Sequence, residues 1–290
     1  MSDKKQRKVL IPQYMNQFRC IGSECEDTCC VGWNIEIDKN TYKKYRNCNN
    51  KNLKAKLKDK VKRNRSNTSE FDYAKIKLNE HGSCPFLDDN KLCSIQSSLG
   101  EEYLSLACTI YPRNPNKLNN SFEKSGSISC PEVARLALLN PKKMEFDEIY
   151  EDIKPRHITK RSLHNNKFTE HFWKFRIFTI SLLQNRNFKL WERLIILGLF
   201  YEKVEEYIKE NKSNDIPNLI AKYTSMIDNG VFDGMLDNIP TQTTLQMKIL
   251  KELIDEAIYK GVRSKRYIEC LKECLYGIGY VKGTDIEKIG

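Results

Sequence analysis

The chain has 290 residues, of which 40% are apolar and 30% charged, with a formal net charge of +11 and a mean hydropathy of −0.61. That length suits one large domain or two ordinary ones. The composition excludes an integral membrane protein, because no run approaches the roughly 20 apolar residues a spanning helix needs.

The first ten residues are strongly charged and have no apolar stretch or small-residue cleavage site behind them, so no secretory signal is read and a cytoplasmic protein is expected. In that reducing setting eleven cysteines, an odd number, read as metal ligands or reactive thiols before disulfides. Cys20, Cys25, Cys29 and Cys30 crowd one stretch, Cys20-Ile-Gly-Ser-Glu-Cys25-Glu-Asp-Thr-Cys29-Cys30, expected as irregular loops. Behind it, Trp33-Asn-Ile-Glu-Ile37 alternates like a short strand. Asp38 sits where the cap of a helix over 39–45 should be. Leu53, Leu57 and Val61 recur every four residues and predict a second, strongly basic amphipathic helix over 52–62.

Between Lys39 and Arg65 twelve Lys or Arg face a single acid, Asp59. Three readings fit: a nucleic-acid surface, a surface for an acidic protein, or a merely solvated helix face. Only Tyr42 and Tyr45 interleave the charges, which argues mildly against single-strand binding. Cys48, in a polar Asn-rich run, reads as a free surface thiol.

Phe71, Tyr73, Ile76 and Leu78 nearly alternate, and a small hairpin closing at Asp88-Asp89-Asn90 would bring Cys84 and Cys93 near one another. A helix from Leu99 or Gly100 would carry Cys108 at its end, since Tyr111-Pro112-Arg113-Asn114-Pro115 must break it. After a polar loop, Cys130-Pro131 opens a helix through Leu139, with the proline in its first turn. Residues 141–166 read as a linker or irregular crossing. Helices are expected over 168–185, 189–211, 216–228, 242–260 and 263–276, as a bundle or right-angled array. The fold class is therefore mainly α: a Cys-rich, metal-bound domain over 1–140 with a small β element, and a helical domain over 167–290.

Cys20, Cys25, Cys29, Cys30, Cys84, Cys93, Cys108 and Cys130 are the candidate metal ligands. An iron-sulfur cluster, 4Fe-4S in the first instance, is the leading reading and zinc the alternative, because both are held by thiolates gathered from short loops. One cluster with thiols to spare, a cluster with a zinc ion, and two clusters all remain open. Cys270 and Cys274 share a helical face with Ile268, Leu271 and Leu275 and read as core. His81 reads as an exposed turn residue. Tyr111 and Arg113 are candidates for a base and a carboxylate clamp, weighed against a plain proline-fixed turn. The glycines at 277, 279 and 283 follow helices and open none, so they make no nucleotide-binding loop.

Residues 16–136 resemble the flagellin lysine-N-methylase family, in Phe18-Arg-Cys-Ile-Gly22, Cys25-Glu-Asp-Thr-Cys-Cys30, Gly32-Trp33, Cys84-Pro-Phe-Leu87, Leu92-Cys-Ser-Ile95, Leu99-Gly100, Cys108, Tyr111-Pro-Arg113, Cys130-Pro-Glu132 and Ala134-Arg135. The resemblance implies S-adenosylmethionine-dependent methylation of lysine ε-amines on flagellin, with an iron-sulfur cluster held by the eight cysteines. The opposing expectations are a non-enzymatic metal-stabilised module for protein or nucleic acid, and an iron-sulfur redox protein.

Overall fold

Strand β1, Arg7–Pro12, buries Val9 and Ile11 while Lys8 stays exposed. The computed structural model, which describes residues 6–66, 69–153, 158–161, 169–261 and 265–279, therefore begins with a core strand where the sequence shows a basic leader. Helix α1, Gln13–Gln17, follows directly, and β2, Glu36–Ile37, leads into α2, Lys39–Arg46. Asp38 caps α2 as expected: its carboxylate accepts from the backbone N–H of Asn40 and Thr41, at 3.2 and 3.0 Å, and from the Thr41 hydroxyl at 2.7 Å. Helix α3, Lys51–Lys60, is capped by Asn50. Its stripe of Leu53 and Leu57 passes into Val61, which already belongs to β3, Val61–Arg63. Strand β4, Ala74–Ile76, lies between β2 and β3 in a small antiparallel sheet. Ile35, Ile37, Tyr45, Leu57, Ala74 and Phe86 form the core between this sheet and the two basic helices.

Of the helix expected from Leu99 or Gly100 to Cys108 only the second half forms, as α5, Leu106–Ile110, while α4, Ser94–Leu99, ends where that helix was expected to begin. Gly100 separates them at φ 92°, a conformation costly for any residue with a Cβ. The expected polar loop after it is a hairpin of β5, Arg113–Leu118, and β6, Ser121–Gly126, with Asn119 in the left-handed region at its turn. Helix α6, Pro131–Leu138, starts at Cys130 as its proline predicts. Residues 141–166 are more than a crossing: β7, Phe146–Glu151, pairs with β1 along its whole length, and β8, Thr159–Arg161, pairs with β5. The result is a five-stranded sheet in the order β7-β1-β6-β5-β8. Ile11, Met15, Phe18 and Val133 pack α1 and α6 on it. So the β content is two sheets rather than one small element, within a chain where helices still dominate.

Helix α7, Phe172–Leu183, and helix α8, Leu190–Lys209, join through Phe175, Phe178 and Phe200, the last two with ring centroids 4.3 Å apart. Arg176 on α7 reaches Glu123 on β6 at 2.5 Å, and Arg186 donates to the Pro141 carbonyl at 2.9 Å, so these helices are tied to the sheet. Helices α9, Ile216–Asp228, α10, Thr243–Tyr259, and α11, Lys265–Gly277, complete the set at nearly the expected positions. Residues 1–216 and 217–290 form two compact units. Among the described residues no helix is long and apolar enough to cross a membrane.

Candidate metal centre

Three loops and a helix start deliver five of the eight candidate thiols to one edge of the core beside the three-stranded sheet. Cys84 donates its backbone N–H to the Cys30 carbonyl at 2.7 Å, and Gly32 donates to the Gly82 carbonyl at 3.0 Å, so the 29–32 and 82–84 loops are stitched side by side. Leu87 bridges to Cys93, and Ser94 donates to the Phe86 carbonyl at 2.8 Å, closing the expected turn with Cys84 and Cys93 as neighbours. Ser105, 1% exposed, caps α5 by accepting from the Cys108 N–H at 3.3 Å. Cys30, Cys93 and Cys108 then pack against the core that buries Cys84.

The electrostatics of these thiols belong to a set rather than to separate residues. Burial lifts Cys108 to about 12 and also raises Cys84, and in both the neighbouring Cys93 pushes in the same direction. Cys30 is raised first by its hydrogen bond to Cys29, then by burial, then by Cys29, Cys84 and Cys93 as charges. Cys29 is held down to about 7 by the Cys30 thiol donating to it. Tyr45 on α2, in the core those thiols pack against, is raised by burial and then by Cys108, Cys93, Asp38 and Cys84 as charges. Several thiolates cannot ionise so close together in an apolar wall unless a cation sits among them. The donors are thus of the kind that holds iron or zinc. Among the described residues, no three His, Cys, Asp or Glu side chains are arranged to hold a single metal ion.

Cys20, Cys25 and Cys130 form a second set. Cys25 is raised mainly by burial, with Glu26, Cys130 and Cys20 adding to it. Arg135 of α6 pairs with Glu26 at 2.5 Å, so the helix that starts at Cys130 is fastened to the loop that carries Cys25. The Tyr111 ring stacks on Trp33 at 6.1 Å, and Trp33 Nε1 donates to the Cys29 carbonyl at 2.7 Å. Burial pushes the Tyr111 phenol up, with Cys130 and Cys29 both contributing, so Tyr111 is within electrostatic reach of both sets. A phenol raised in this way keeps its proton at neutral pH and is a donor rather than a base. Its oxygen lies 3.2 Å from the Ser129 hydroxyl. Arg113 lies over the Phe18 ring at 5.0 Å, with one edge of the expected clamp given to an aromatic face.

Other residues behave differently from expectation. Cys48 is not a surface thiol: it is 1% exposed, packed with Tyr45 and Leu53, because the turn between α2 and α3 folds inward. Cys270 and Cys274 are exposed rather than core, since half-buried Leu271 and Leu275 take the inner face of α11. His81 is exposed in its turn, as expected. Gly277 ends α11, and Gly283 lies outside the described residues. Sequence placed Trp33 at the start of a strand and Tyr45 among the basic residues without linking either to the thiols, and it did not single out Ser105. Ser105 had a signal, a serine just before a helical run, whereas the spacing of the aromatic pair carried none.

The family model described as FliB lysine N-methylase C-terminal domain matches residues 176–289. The chain is 27% identical over 280 residues to proteins named lysine-N-methylase from Salmonella typhimurium and Salmonella choleraesuis, covering 93% of this chain and 68% of each relative. It is 36% identical over 145 residues to the flagellar biosynthetic protein FliU of Salmonella muenchen, covering 50% of this chain and 85% of that protein. No solved structure matches it.

Proposed function

The chain belongs to the flagellin lysine-N-methylase (FliB) family, and on that premise we propose that it methylates lysine side chains of flagellin in the cytoplasm, with S-adenosylmethionine as methyl donor. The single observation that carries this reading is the 27% identity over 280 residues to proteins named lysine-N-methylase.

The chemistry asks little beyond positioning. A lysine amine, with an ordinary pKa of about 10.4, must lose its proton before its lone pair can attack. S-adenosylmethionine supplies a sulfonium methyl; the N–C bond forms as the C–S bond breaks, and the pair of electrons stays on sulfur. The enzyme must strip water from the amine and hold it in line with the methyl. In this reading Tyr111, a protonated donor beside Ser129, orients a bound group instead of taking the amine proton.

The eight cysteines are proposed to hold an iron-sulfur cluster. Thiolates on a tetrahedral zinc ion stand about 3.8 Å apart, whereas a cubane takes one thiolate per iron at separate corners. The family resemblance favours the second arrangement, with zinc the alternative, and iron, sulfide and zinc analysis decides between them. A cubane takes four of the eight thiolates; when bound it would supply positive charge that lets buried thiols ionise and would tie together the loops that provide its four ligands. We read its role first as structural and second as holding the methyl donor.

The test is anaerobic purification with iron, sulfide and zinc analysis, then incubation with S-adenosylmethionine and flagellin and mass measurement of the lysines. A mass gain of one methylene per modified site supports the reading. Intact cluster with unmodified lysines refutes it.

A further inference from the structure

The two basic helices enclose a cavity of about 170 Å³ on the side of α2 and α3 away from any role assigned so far. Its floor is apolar, made by Tyr42, Leu57 and Val61 with one face of buried Tyr45. Its rim carries Arg46, Lys54 and Lys58, all exposed. Neighbouring cations are accounted for internally: Lys39 pairs with Glu70, Lys60 and Lys62 with Asp59, and Lys44, Lys56 and Arg63 lie over the rings of Tyr103, Phe86 and Tyr73. Among the described residues, the side chains of Arg46, Lys54 and Lys58 make no ion pair or hydrogen bond, and neither do those of Lys43 and Lys51 beside them.

We propose that this cavity docks an acidic peptide segment of a partner protein, with one aliphatic or aromatic side chain seated on the Leu57 and Val61 floor and flanking carboxylates on Arg46, Lys54 and Lys58. Charge complementarity selects the occupant, since three unpaired cations around one apolar hole repel each other until anions arrive. The cavity is smaller than those that hold drug-sized ligands, so it takes one side chain. Nucleic acid fits less well: Tyr45 is buried and half-buried Tyr42 is already engaged edge-on with Tyr73 at 5.3 Å, so successive bases would find no row of exposed rings on which to stack.

The experiment is fluorescence anisotropy on the full chain, purified without oxygen, with a labelled peptide of glutamates flanking a single leucine. Lys54→Glu with Lys58→Glu weakens binding by about tenfold or more, and Lys54→Gln with Lys58→Gln weakens it less. Replacing the peptide's leucine by serine weakens binding by about tenfold, from the lost apolar burial. The exposed pair Lys248→Glu with Lys272→Glu, the same change in net charge made elsewhere, leaves binding unchanged. Equal loss in both charge-reversed proteins, or no dependence on the leucine, overturns the proposal. So does an oligothymidine that displaces the peptide and binds tighter, which assigns the groove to nucleic acid. The measurement uses no methyl donor, so its failure leaves the methylation reading standing, and the reverse holds too.

Discussion

Gly126 ends β6 directly beneath α6, and replacing it by alanine tests how the second thiol set is held in place. An ideal Cβ there would lie 2.6 and 3.3 Å from the two Cγ atoms of Val133, and nearer still to Met15 Sδ. Alanine in an unobstructed strand should stabilise by about 0.5–1 kcal/mol, through the entropy glycine loses on folding. The contact reverses that sign. Met15 ends in a flexible thioether that can swing aside, but Val133 is fully buried and β-branched, with no alternative rotamer in a packed wall. Overpacking of this kind costs about 1–3 kcal/mol, so Gly126→Ala should destabilise by roughly 0.5–2 kcal/mol after the entropic gain is subtracted. Urea denaturation under anaerobic conditions gives the number. Val133→Ala alone should cost about 2 kcal/mol from the cavity it leaves, and the double variant should cost clearly less than the sum, because the new methyl occupies the vacated space. A Gly126→Ala protein more stable than the parent, or strictly additive effects, would refute the packing argument.

Asp38→Ala removes a cap with three acceptor contacts, and should lower stability by about 1–2 kcal/mol in the same denaturation experiment. Cys48→Ser places a hydroxyl in an apolar core and should cost about 1–3 kcal/mol while leaving iron per chain unchanged; Cys93→Ser should lower iron per chain, and the reverse pattern would show that the ligand set is misassigned. Oxidative removal of iron with a chelator should open the 20–30 and 82–93 loops to limited proteolysis while fragments from 217–290 stay intact, as mass spectrometry of the digest would show.

The chemistry was legible in sequence where short-range signals act alone. Asp38 ahead of a helical run, Pro131 after Cys130, and the turn residues at 88–90 each act within a few residues, and each led to the observed element. The five C-terminal helices were legible because their apolar spacing is sustained over many turns. The larger sheet was not, because β5 and β6 carry few apolar residues, β5 burying only Pro115 and Leu118, and the short apolar run of β1 sits directly behind the basic residues of the first ten. Their pairing is also long-range, β1 joining β6 and β7 far along the chain, and no local pattern encodes that. Cys48 was misplaced because polar neighbours set the expectation, whereas the inward turn after α2 sets its burial. For Cys270 and Cys274 the periodicity was read correctly and the face was not, since apolar spacing fixes a stripe without saying which side of it a neighbour covers.

The interior position of β1, between β7 and β6, has a consequence for how the protein is made. Val9 faces Phe122 and Arg7 faces Glu151, so a strand synthesised before both of its partners waits for the hairpin and β7 before it can settle. Throughout that interval the thiols just behind it hang on an unanchored tether, open to oxidants and to stray metals in the cell. A chain built in this order gains from elongation fast enough, or carriers attentive enough, to shorten the time residues 20–30 stand open before the last partner strand arrives.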